Sequence, residues 1–150
     1  MNYEIYTDGS CRGNPGPGGW GVLIKNMESG EQEILRGGNP QTTNNIMELT
    51  AIIRALEEFE VVEGQSPKIK IYSDSQYCIQ SITEWMDGWI KNGWKSSTKK
   101  PVKNDDLWKE YVEVSKSHKI IASWVKGHAG HEENERCDIL AKDFAQNIKD

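Results

Sequence analysis

A segment with helical periodicity, lying between two segments with strand character, constrains the fold more than any other feature of the sequence. Its apolar residues recur with the spacing i, i+3, i+4, i+7, at Leu49, Ile52, Ile53 and Leu56. This spacing predicts an amphipathic helix over residues 46–59. Residues 3–8 before it and residues 68–74 after it have the alternating, β-branched or aromatic character of strands. A strand, a crossover helix and a second strand form a right-handed unit, so the chain requires a sheet with a parallel part.

Two more strands are predicted between the first strand and the helix. Residues 19–25 and 31–36 have strand character, and the turn-forming residues between them, with Gly30, predict a hairpin. The first three strands therefore pair as an antiparallel meander. Residues 40–45 are predicted to form a loop that leads to the helix.

The second half of the chain alternates helices with strand character. A helix is predicted from Ser75 onward, another runs from a cap at Asn104 to about residue 117, and residues 119–125 form a strand. The last helix has one apolar stripe, formed by Cys137, Leu140, Ala141, Phe144, Ala145 and Ile148. The predicted fold class is α/β, with a five-stranded mixed sheet whose three antiparallel strands are followed by parallel strands, flanked by helices. Residues 1–150 are predicted to form one domain.

Composition excludes several classes of protein. No apolar run approaches the ~20 residues that a membrane span needs. The first residues have neither the basic start nor the apolar stretch of a signal peptide. The cysteines are 3 in number, an odd count that favours reduced thiols. We therefore expect a cytoplasmic protein without a membrane partner.

Acidic residues close two of the predicted strands, and a third acid lies in the helix between them. Asp8 ends the first strand, Asp74 ends the fourth, and Glu48 lies about one turn into the helix. Strands that end at the same edge of a sheet bring their last residues together, and open sheets with helices bind ligands there. Asp138 sits beside the apolar stripe of the last helix and is predicted to approach the same point.

Four carboxylates in one place repel each other strongly unless cations neutralise them. Oxygen ligands of this kind suit hard divalent ions such as Mg²⁺ or Mn²⁺. Two such ions about 4 Å apart clamp the attacking and leaving oxygens of an in-line phosphoryl displacement. The cluster therefore favours a two-metal phosphoryl-transfer site.

Each acid also has a structural interpretation. Asn45 and Glu48 have the spacing of a capping box, in which Glu48 only caps its helix. Asp74 and Ser75 are compatible with an N-terminal cap of the next helix. Asp138 is compatible with a solvated helix face. The two strand-terminal aspartates in this topology favour a functional cluster over four separate structural roles.

His128 lies in the segment 126–131, with a glycine on either side of it, between the last strand and the last helix. An imidazole on a loop beside a metal site suits proton transfer or product release. An alternative is a zinc site formed by His128, His131 and Cys137. This set has no second cysteine pair, which makes the zinc signal weak.

One basic segment contrasts with an acidic body. Residues 85–103 contain five lysines and one acid, Asp87, for a local charge of +4, whereas the whole chain has −5, which leaves −9 for the remainder. Three tryptophans, at positions 85, 89 and 94, alternate with these lysines. Lysines neutralise phosphates and aromatic faces pack against sugars or bases, so the segment predicts a nucleic-acid partner. Trp85 and Trp89 are also spaced to bury one ring face each.

Motifs over essentially the whole chain resemble those of the bacterial type 1 ribonucleases H, in the order found in that family. They are TDGSC (7–11), GNPGPGG (13–19), TTNN (42–45), MEL (47–49), SDSQY (73–77), WVKGHAGH (124–131) and NERCD (134–138). The resemblance implies a ribonuclease H-like fold and an endonuclease that hydrolyses the RNA strand of RNA–DNA hybrids. The implied products carry 5′-phosphate and 3′-hydroxyl ends, and the implied roles are removal of RNA primers and R-loops during DNA replication.

The resemblance also implies roles for the acids and for the histidine. Asp8 would bridge two Mg²⁺ ions, Asp138 would help to hold the ion that activates water, and Glu48 and Asp74 would hold the ion near the leaving 3′ oxygen. Mn²⁺ is a possible substitute. His128 corresponds to the loop histidine of the family. The implied protein is a monomer that needs no protein partner.

The resemblance assigns the substrate contacts to the two strands of the hybrid. RNA would be recognised through its 2′-hydroxyls by the backbone at Cys11 and Gly13, and by Asn14, Glu48 and Gln76. DNA would pass Thr43, Asn44, Asn45, Trp85 and Trp89, with a phosphate at Thr43. The basic protrusion of the family would contribute Lys91, Lys95, Lys99 and Lys100.

The sequence departs from the family pattern at positions that bind DNA. Gln41 and Ile46 stand where relatives often have arginine, and Gly88 replaces an asparagine that grips a DNA phosphate. Asp87 adds a negative charge to the basic segment. We therefore expect intact chemistry with hybrid binding that is weaker and more salt-sensitive than in relatives with a more basic protrusion.

Two other classes of function are compatible with parts of the sequence. A 3′–5′ exonuclease or an integrase-like core uses a similar two-metal site, but the basic segment and the segment 126–131 argue against both. A non-catalytic hybrid-binding module would be expected to lack one of the acids, and all four are present.

Overall fold

A five-stranded mixed sheet with strand order β3-β2-β1-β4-β5 organises the protein. The computed structural model describes residues 2–59, 67–95, 100–126 and 132–147. The strands are β1 (Asn2–Cys11), β2 (Gly16–Asn26), β3 (Gln32–Thr42), β4 (Lys68–Ser73) and β5 (Lys119–Trp124). The helices are α1 (Asn44–Glu57), α2 (Gln76–Gln80), α3 (Met86–Lys91), α4 (Asp105–Ser115) and α5 (Glu132–Asn147). The predicted fold class is confirmed.

Strand pairing follows the predicted order. β1 pairs with β2 and β2 with β3 in antiparallel fashion, whereas β1–β4 and β4–β5 are parallel. Helix α1 provides the crossover between β1–β3 and β4, as a parallel connection requires. The two parallel pairs lie at one side of the sheet, so β3 and β5 are its edge strands.

The strands around the glycine-rich run are longer than predicted. β1 continues beyond Asp8 to Cys11, and β2 begins at Gly16, because Ser10 and Cys11 pair with Gly19 and Gly18. β3 likewise continues to Thr42, so the prediction of a loop from residue 40 onward is wrong for its first part. Glycines have no side chain and so do not show the alternation of a strand. The strands predicted from alternation are therefore too short.

Helix α1 begins at Asn44, two residues before the predicted start. Thr43 is the N-cap, and its hydroxyl oxygen accepts a hydrogen bond from the Ile46 N–H at 3.2 Å. Helix α4 begins after Asn104, as expected, but the Asn104 side chain makes no capping hydrogen bond. That residue has a positive φ of 60°, and its side-chain amide donates to the Tyr77 hydroxyl at 3.2 Å.

The predicted helix after Ser75 runs to Lys91 through a π-helical turn at Ser81–Trp85, between α2 and α3. The Met86 N–H donates to the Ser81 carbonyl, five residues earlier. A π turn of this kind shifts the phase of the following helix by a fraction of a turn.

The larger hydrophobic core lies between one face of the sheet and helices α1 and α4. It is formed by strand residues such as Ile5, Ile69 and Ile71, helix residues such as Leu49 and Ile52, and the fully buried Trp108. Each fully buried aliphatic side chain contributes roughly 1.5–3 kcal/mol. This core holds α1 rigidly against β1, which positions the acids described below.

Helix α5 covers the opposite face over β1, β2 and β3. Its buried stripe includes Cys137, Ala141 and Ala145, as predicted, and Cys137 packs with Tyr6 and Leu23. Ile148, the last residue of the predicted stripe, lies outside the described residues. Among the described residues, we find no helix that is both long enough and apolar enough to span a bilayer.

Candidate active site

Asp8 and Asp74 lie opposite each other where two parallel strands separate. Tyr6 and Tyr72 form the last pair between β1 and β4, and Asp8 and Asp74 each follow two residues later. Asp8 is not the last residue of its strand, because it still pairs with Gly21 on β2. The prediction that it ends a strand is therefore wrong, but the parallel pairing does end before it. Asp8 is buried, and its Oδ1 accepts a hydrogen bond from the Gly9 N–H at 2.9 Å.

Glu48 reaches the same place from helix α1. A Cβ atom on Gly9 would lie only 2.5 Å from the Glu48 backbone nitrogen, so glycine is needed for this close approach. Glu48 is 7% exposed. Its Oε2 atom is fully buried and has no hydrogen-bond partner in the part of the chain that the structure describes.

Carboxylate oxygens of Asp8, Glu48 and Asp74 all lie within 4.8 Å of one another. Burial is the main reason that the pKa of Asp8 is raised from 3.8 to about 8. The charge of Asp74 raises this pKa further, and so do a hydrogen bond and the charge of Asp138, whereas a hydrogen bond with Glu48 lowers it. Burial, followed by the charge of Asp8, raises the pKa of Glu48 well above its usual range.

These three residues fit a hard divalent cation. All donor atoms are oxygens, which Mg²⁺ and Ca²⁺ prefer. The orphaned Oε2 of Glu48 is the kind of buried polar atom that requires a partner, and an ion would supply one. An added positive charge would also remove the repulsion that raises both pKa values.

Asp138 lies next to Asp8 but outside the group of three. Its Oδ2 forms an ion pair with Lys142 Nζ at 3.0 Å, one helical turn later. The backbone of α5 reaches this position because a Cβ on Gly21 would lie 2.6 Å from the Cys137 carbonyl oxygen. The Cys137 thiol donates to the Tyr6 carbonyl at 3.2 Å and fixes the helix on β1. The side chain of Asp138 is 25% exposed, so it retains contact with solvent.

The capping interpretation of Glu48 is wrong, and that of Asp74 and Ser75 is correct only for Ser75. Thr43, and not Asn45, is the N-cap of α1, so Glu48 does not belong to a capping box. Ser75 caps α2, since its hydroxyl accepts from the Cys78 N–H at 3.2 Å. Asp74 precedes that cap and belongs to the group with Asp8 and Glu48.

Known proteins are similar to this chain over nearly its full length. The family model for RNase H matches residues 1–146. A Ribonuclease H from Erythrobacter litoralis (strain HTCC2594) is 51% identical over 142 residues, which cover 95% of this chain and 94% of the relative. A Ribonuclease H from Dechloromonas aromatica (strain RCB) is 53% identical over 146 residues, covering 97% of this chain and 95% of the relative.

The chain belongs to the RNase H family. It is therefore a nuclease, an enzyme of the hydrolase class. Among solved structures, it is similar to LC9-RNase H1, a type 1 RNase H with the type 2 active-site motif. The TM-score is 0.84 at 32% identity, covering 99% of this chain and 74% of the other. It also shares its fold with LC11-RNase H1, which was crystallised in complex with an RNA/DNA hybrid, at a TM-score of 0.71 and 24% identity, covering 96% of each chain.

In this RNase H, some of the predicted site residues lie outside the described part of the structure. They are His128 and Lys99, and so is His131 of the alternative zinc site. Cys137, the third member of that zinc set, is described and fully buried. Burial is the main reason that the pKa of its thiol is raised to about 12, which opposes the thiolate that zinc requires.

Three of the positions predicted to face the RNA strand, Cys11, Gly13 and Asn14, lie at the end of β1 or just after it. Gly13 has a φ of +87°, which suits glycine, and Asn14 is exposed. The Oδ1 atom of Asn14 accepts a hydrogen bond from the Asn44 N–H at 2.9 Å. This bond joins a residue predicted to face RNA to one predicted to face DNA. The Cys11 thiol contacts the Thr42 carbonyl at 3.3 Å, which ties the same two segments together.

The residues predicted to face DNA lie on two elements of this RNase H. Thr43, Asn44 and Asn45 line a groove with Asn14, Pro15 and Lys103. Trp85 is 42% exposed, and its ring centroid lies 6.1 Å from that of the half-buried Trp89. Lys91, Lys95 and Lys100 are all exposed, and Gln76 is exposed at the start of α2.

Sequence reasoning missed three residues near these surfaces. Lys103 lines the groove beside Thr43, although only its place in the basic segment pointed to it. Lys142 pairs with Asp138, and its i+4 spacing was a usable signal. The indole N–H of Trp124 donates to the Asp74 carbonyl at 3.1 Å. The periodicity of the sequence does not predict such a contact.

Proposed function

We propose that this RNase H hydrolyses the RNA strand of RNA–DNA hybrids internally, with two divalent metal ions, leaving 5′-phosphate and 3′-hydroxyl ends. The observation that carries the proposal is the group of three carboxylates within 4.8 Å, which includes the unpartnered Glu48 Oε2. Relatives about half identical to this chain are named Ribonuclease H, and a protein with the same fold was crystallised with an RNA/DNA hybrid.

Asp8, Glu48, Asp74 and Asp138 would hold two ions, with Mg²⁺ as the proposed metal. When bound, the ions would supply positive charge that stabilises the attacking and leaving oxygens of the phosphodiester. Asp8 interacts with each of the other three acids, which supports a bridging position for it. Asp74 and Glu48 belong with Asp8 to the group of three, which does not include Asp138. This division supports one ion near Glu48 and Asp74 and the other near Asp138.

The hybrid would lie over the glycine-rich run and helices α1 to α3. The backbone at Cys11 and Gly13, together with Asn14 and Gln76, would contact 2′-hydroxyl groups, which only RNA carries. Thr43, Asn44, Asn45, Trp85 and Trp89 would contact the DNA strand. Lys91, Lys95, Lys99 and Lys100 would neutralise phosphates. The hydrogen bond between Asn14 and Asn44 supports this arrangement, because it fixes the spacing of the two contact regions.

His128 would transfer a proton or assist the release of the product. Its place between two glycines in the sequence, shortly before α5, supports this role. His128→Ala should therefore slow turnover without abolishing it. Complete loss of cleavage would show that His128 does more than carry a proton.

The cellular role follows from the substrate. RNA primers and R-loops both present RNA paired with DNA, and we propose both as substrates in the cytoplasm during DNA replication. The three free cysteines support a reducing compartment. The monomeric state remains a prediction that sedimentation of the purified protein would test.

A labelled hybrid tests the proposal directly. The 5′-end-labelled RNA strand of a hybrid, incubated with Mg²⁺, should give labelled fragments that are shortened by cuts at internal positions and have 3′-hydroxyl ends, whereas EDTA should prevent cleavage. Asp8→Asn should abolish cleavage, and retained cleavage would refute the metal site. Duplex DNA and duplex RNA serve as controls. Stepwise shortening from the 3′ end would indicate an exonuclease, and tight hybrid binding without cleavage would indicate a binding module.

A further inference from the structure

Trp124 stands beside the acid cluster and is not a buried core residue. It is the last residue of β5 and pairs with Ser73 in the parallel ladder. Its indole Nε1–H donates a hydrogen bond to the backbone carbonyl of Asp74 at 3.1 Å. The side chain is 46% exposed, so burial of the ring explains only part of its presence here.

The backbone around Asp74 depends on β5 for support. Pairing between β1 and β4 ends at Tyr6 and Tyr72, so β1 does not hold the last residues of β4. The Ser73 carbonyl accepts from the Val125 N–H at 2.9 Å, and the Ser73 hydroxyl accepts from the Ser75 N–H at 3.1 Å. Both bonds act on Ser73. The Trp124 indole acts one residue later, on the carbonyl of Asp74 itself.

The electrostatics of the cluster make this support necessary. Asp8 and Glu48 are buried, whereas Asp74 is half-buried and lies in the short turn before α2. Wherever the acids of this group are ionised together, their repulsion moves Asp74 toward solvent more readily than it moves the two buried residues. A hydrogen bond that fixes the peptide after Asp74 restricts this movement, because the side chain and the peptide plane share the same Cα atom.

We propose that Trp124 is a positioning residue for Asp74, whose indole N–H holds the Asp74 backbone so that its carboxylate points at Asp8 and Glu48. This inference rests on the proposed function, in which Asp74 is a metal ligand. Partners that orient metal ligands typically change metal affinity or activity by about 10- to 100-fold when they are removed. Trp124 bonds the backbone of the ligand and not its carboxylate, so we expect an effect at the lower end, about tenfold.

Trp124→Phe tests the inference, because it removes the N–H and keeps an aromatic ring. Titration of the free protein with Mg²⁺, by calorimetry or by NMR shifts, should give a Kd about tenfold higher than in the wild type. The Mg²⁺ concentration for half-maximal cleavage should rise in parallel, while the KM for the hybrid should not change. A merely structural role would lower Tm and leave Mg²⁺ binding of the folded protein unaltered.

Trp108→Phe is the matched control. Trp108 is fully buried, and its Nε1–H donates to the Tyr77 hydroxyl at 2.9 Å, away from the three acids. The substitution removes the same N–H group and should lower Tm while leaving the Kd for Mg²⁺ unchanged. Equal loss of Mg²⁺ affinity in both variants would overturn the specific role of Trp124.

A measurement on the wild type needs no variant. The chain has 6 tryptophans, whose indole N–H signals NMR resolves individually. The Trp124 signal should exchange with solvent more slowly than an unbonded indole of similar exposure, and it should shift when Mg²⁺ is added. Rapid exchange, or equal Mg²⁺ affinity of Trp124→Phe and the wild type, would overturn the positioning role alone. A wild type that neither binds Mg²⁺ nor cleaves the hybrid would overturn the proposed function as well.

Discussion

Gly9 and Glu48 are in contact through their backbones, where strand β1 meets helix α1. A Cβ on Gly9 would lie 2.5 Å from the Glu48 nitrogen and 2.7 Å from the Met47 carbonyl carbon. Both atoms belong to the helix backbone and cannot move aside as a flexible side chain does. The glycine next to Asp8 therefore determines how far Glu48 lies from Asp8. The same close contact is needed both for packing α1 on β1 and for placing the two acids together.

Gly9→Ala should push helix α1 away from β1 and weaken both stability and metal binding. Overpacking of this kind costs about 1–3 kcal/mol in the free energy of unfolding. Urea denaturation and a Mg²⁺ titration would measure the two effects. Gly88→Ala is the control, because nothing lies within 4 Å of a Cβ at Gly88, which is in helix α3. Alanine there should stabilise the protein by roughly 0.5–1 kcal/mol. Unchanged stability of Gly9→Ala would contradict the predicted contact.

Asp8→Asn should stabilise the protein when no divalent ion is present. The folded-state pKa of Asp8 is raised to about 8, mainly by burial, from its ordinary value of 3.8. The unfolded chain therefore ionises first as the pH rises, and stability falls between about pH 4 and pH 8. Asparagine removes this loss and can still accept the hydrogen bond of the Gly9 N–H.

Thermal unfolding in EDTA across that pH range would measure the effect. The Tm difference between Asp8→Asn and the wild type should grow from pH 4 to pH 8, at about 2–4 °C for each kcal/mol. Added Mg²⁺ should raise the Tm of the wild type and reduce the difference. A difference that does not depend on pH would show that the burial of Asp8 has no electrostatic cost.

The sequence predicted the convergence of the acids better than it predicted their local structure. The β-α-β order required β1 and β4 to be parallel, and the observed register of the two strands places Asp8 opposite Asp74. The prediction that Asp8 ends its strand was wrong, because the glycines after it carry no side-chain pattern, although the backbone continues to Cys11. The prediction argued from strand ends, but the register of β1 and β4 is what brings Asp8 and Asp74 together, and Asp138 lies outside the group of three.

Contacts made by single atoms were beyond the reach of periodicity. Asn45 and Glu48 have the spacing of a capping box. However, β3 ends at Thr42 and the helix begins directly after it, so Thr43 is the N-cap. The bond from Trp124 to Asp74 joins residues 50 positions apart, and it depends on the register of β4 and β5. Such contacts follow from packing, which only the folded structure supplies.

The three thiols should differ in reactivity. Cys78 and Cys137 are fully buried, and burial is the main reason that the pKa of each is raised to about 12. Cys11 is half-buried at the end of β1, and its backbone is predicted to contact RNA. Iodoacetamide at pH 8 should therefore add one group to the native protein and three groups in urea, as measured by intact mass. Cys11→Ser should remain unmodified under native conditions, and rapid labelling of that variant would contradict the buried positions of the other two.

Binding of the hybrid should depend steeply on salt, and the basic segment should set the slope. Each phosphate contact contributes about −0.9 to the slope of log K against log salt for duplex DNA. Lys95→Ala, measured by fluorescence anisotropy in an inactive Asp8→Asn background, should reduce the slope by about 0.9 and weaken binding at low salt. Lys116→Ala removes an exposed charge at the far end of α4, paired with Glu113, and should leave the slope unchanged. Equal salt slopes for the Lys95→Ala and Lys116→Ala variants would show that the hybrid does not bind at the basic segment.

Gly88→Asn should tighten hybrid binding by restoring a side chain that the family pattern has at this position. Gly88 is exposed on helix α3, one residue before Trp89, and has open space around it, so the longer side chain fits without a clash. One hydrogen bond to a charged phosphate contributes about 1.5–3 kcal/mol, which corresponds to at least tenfold in Kd. Gly88→Ala fills the same space without an amide and should bind like the wild type. Anisotropy titrations of both variants at two salt concentrations would decide the matter, because a gain shared by Gly88→Ala would reflect a more stable helix and not a new phosphate contact.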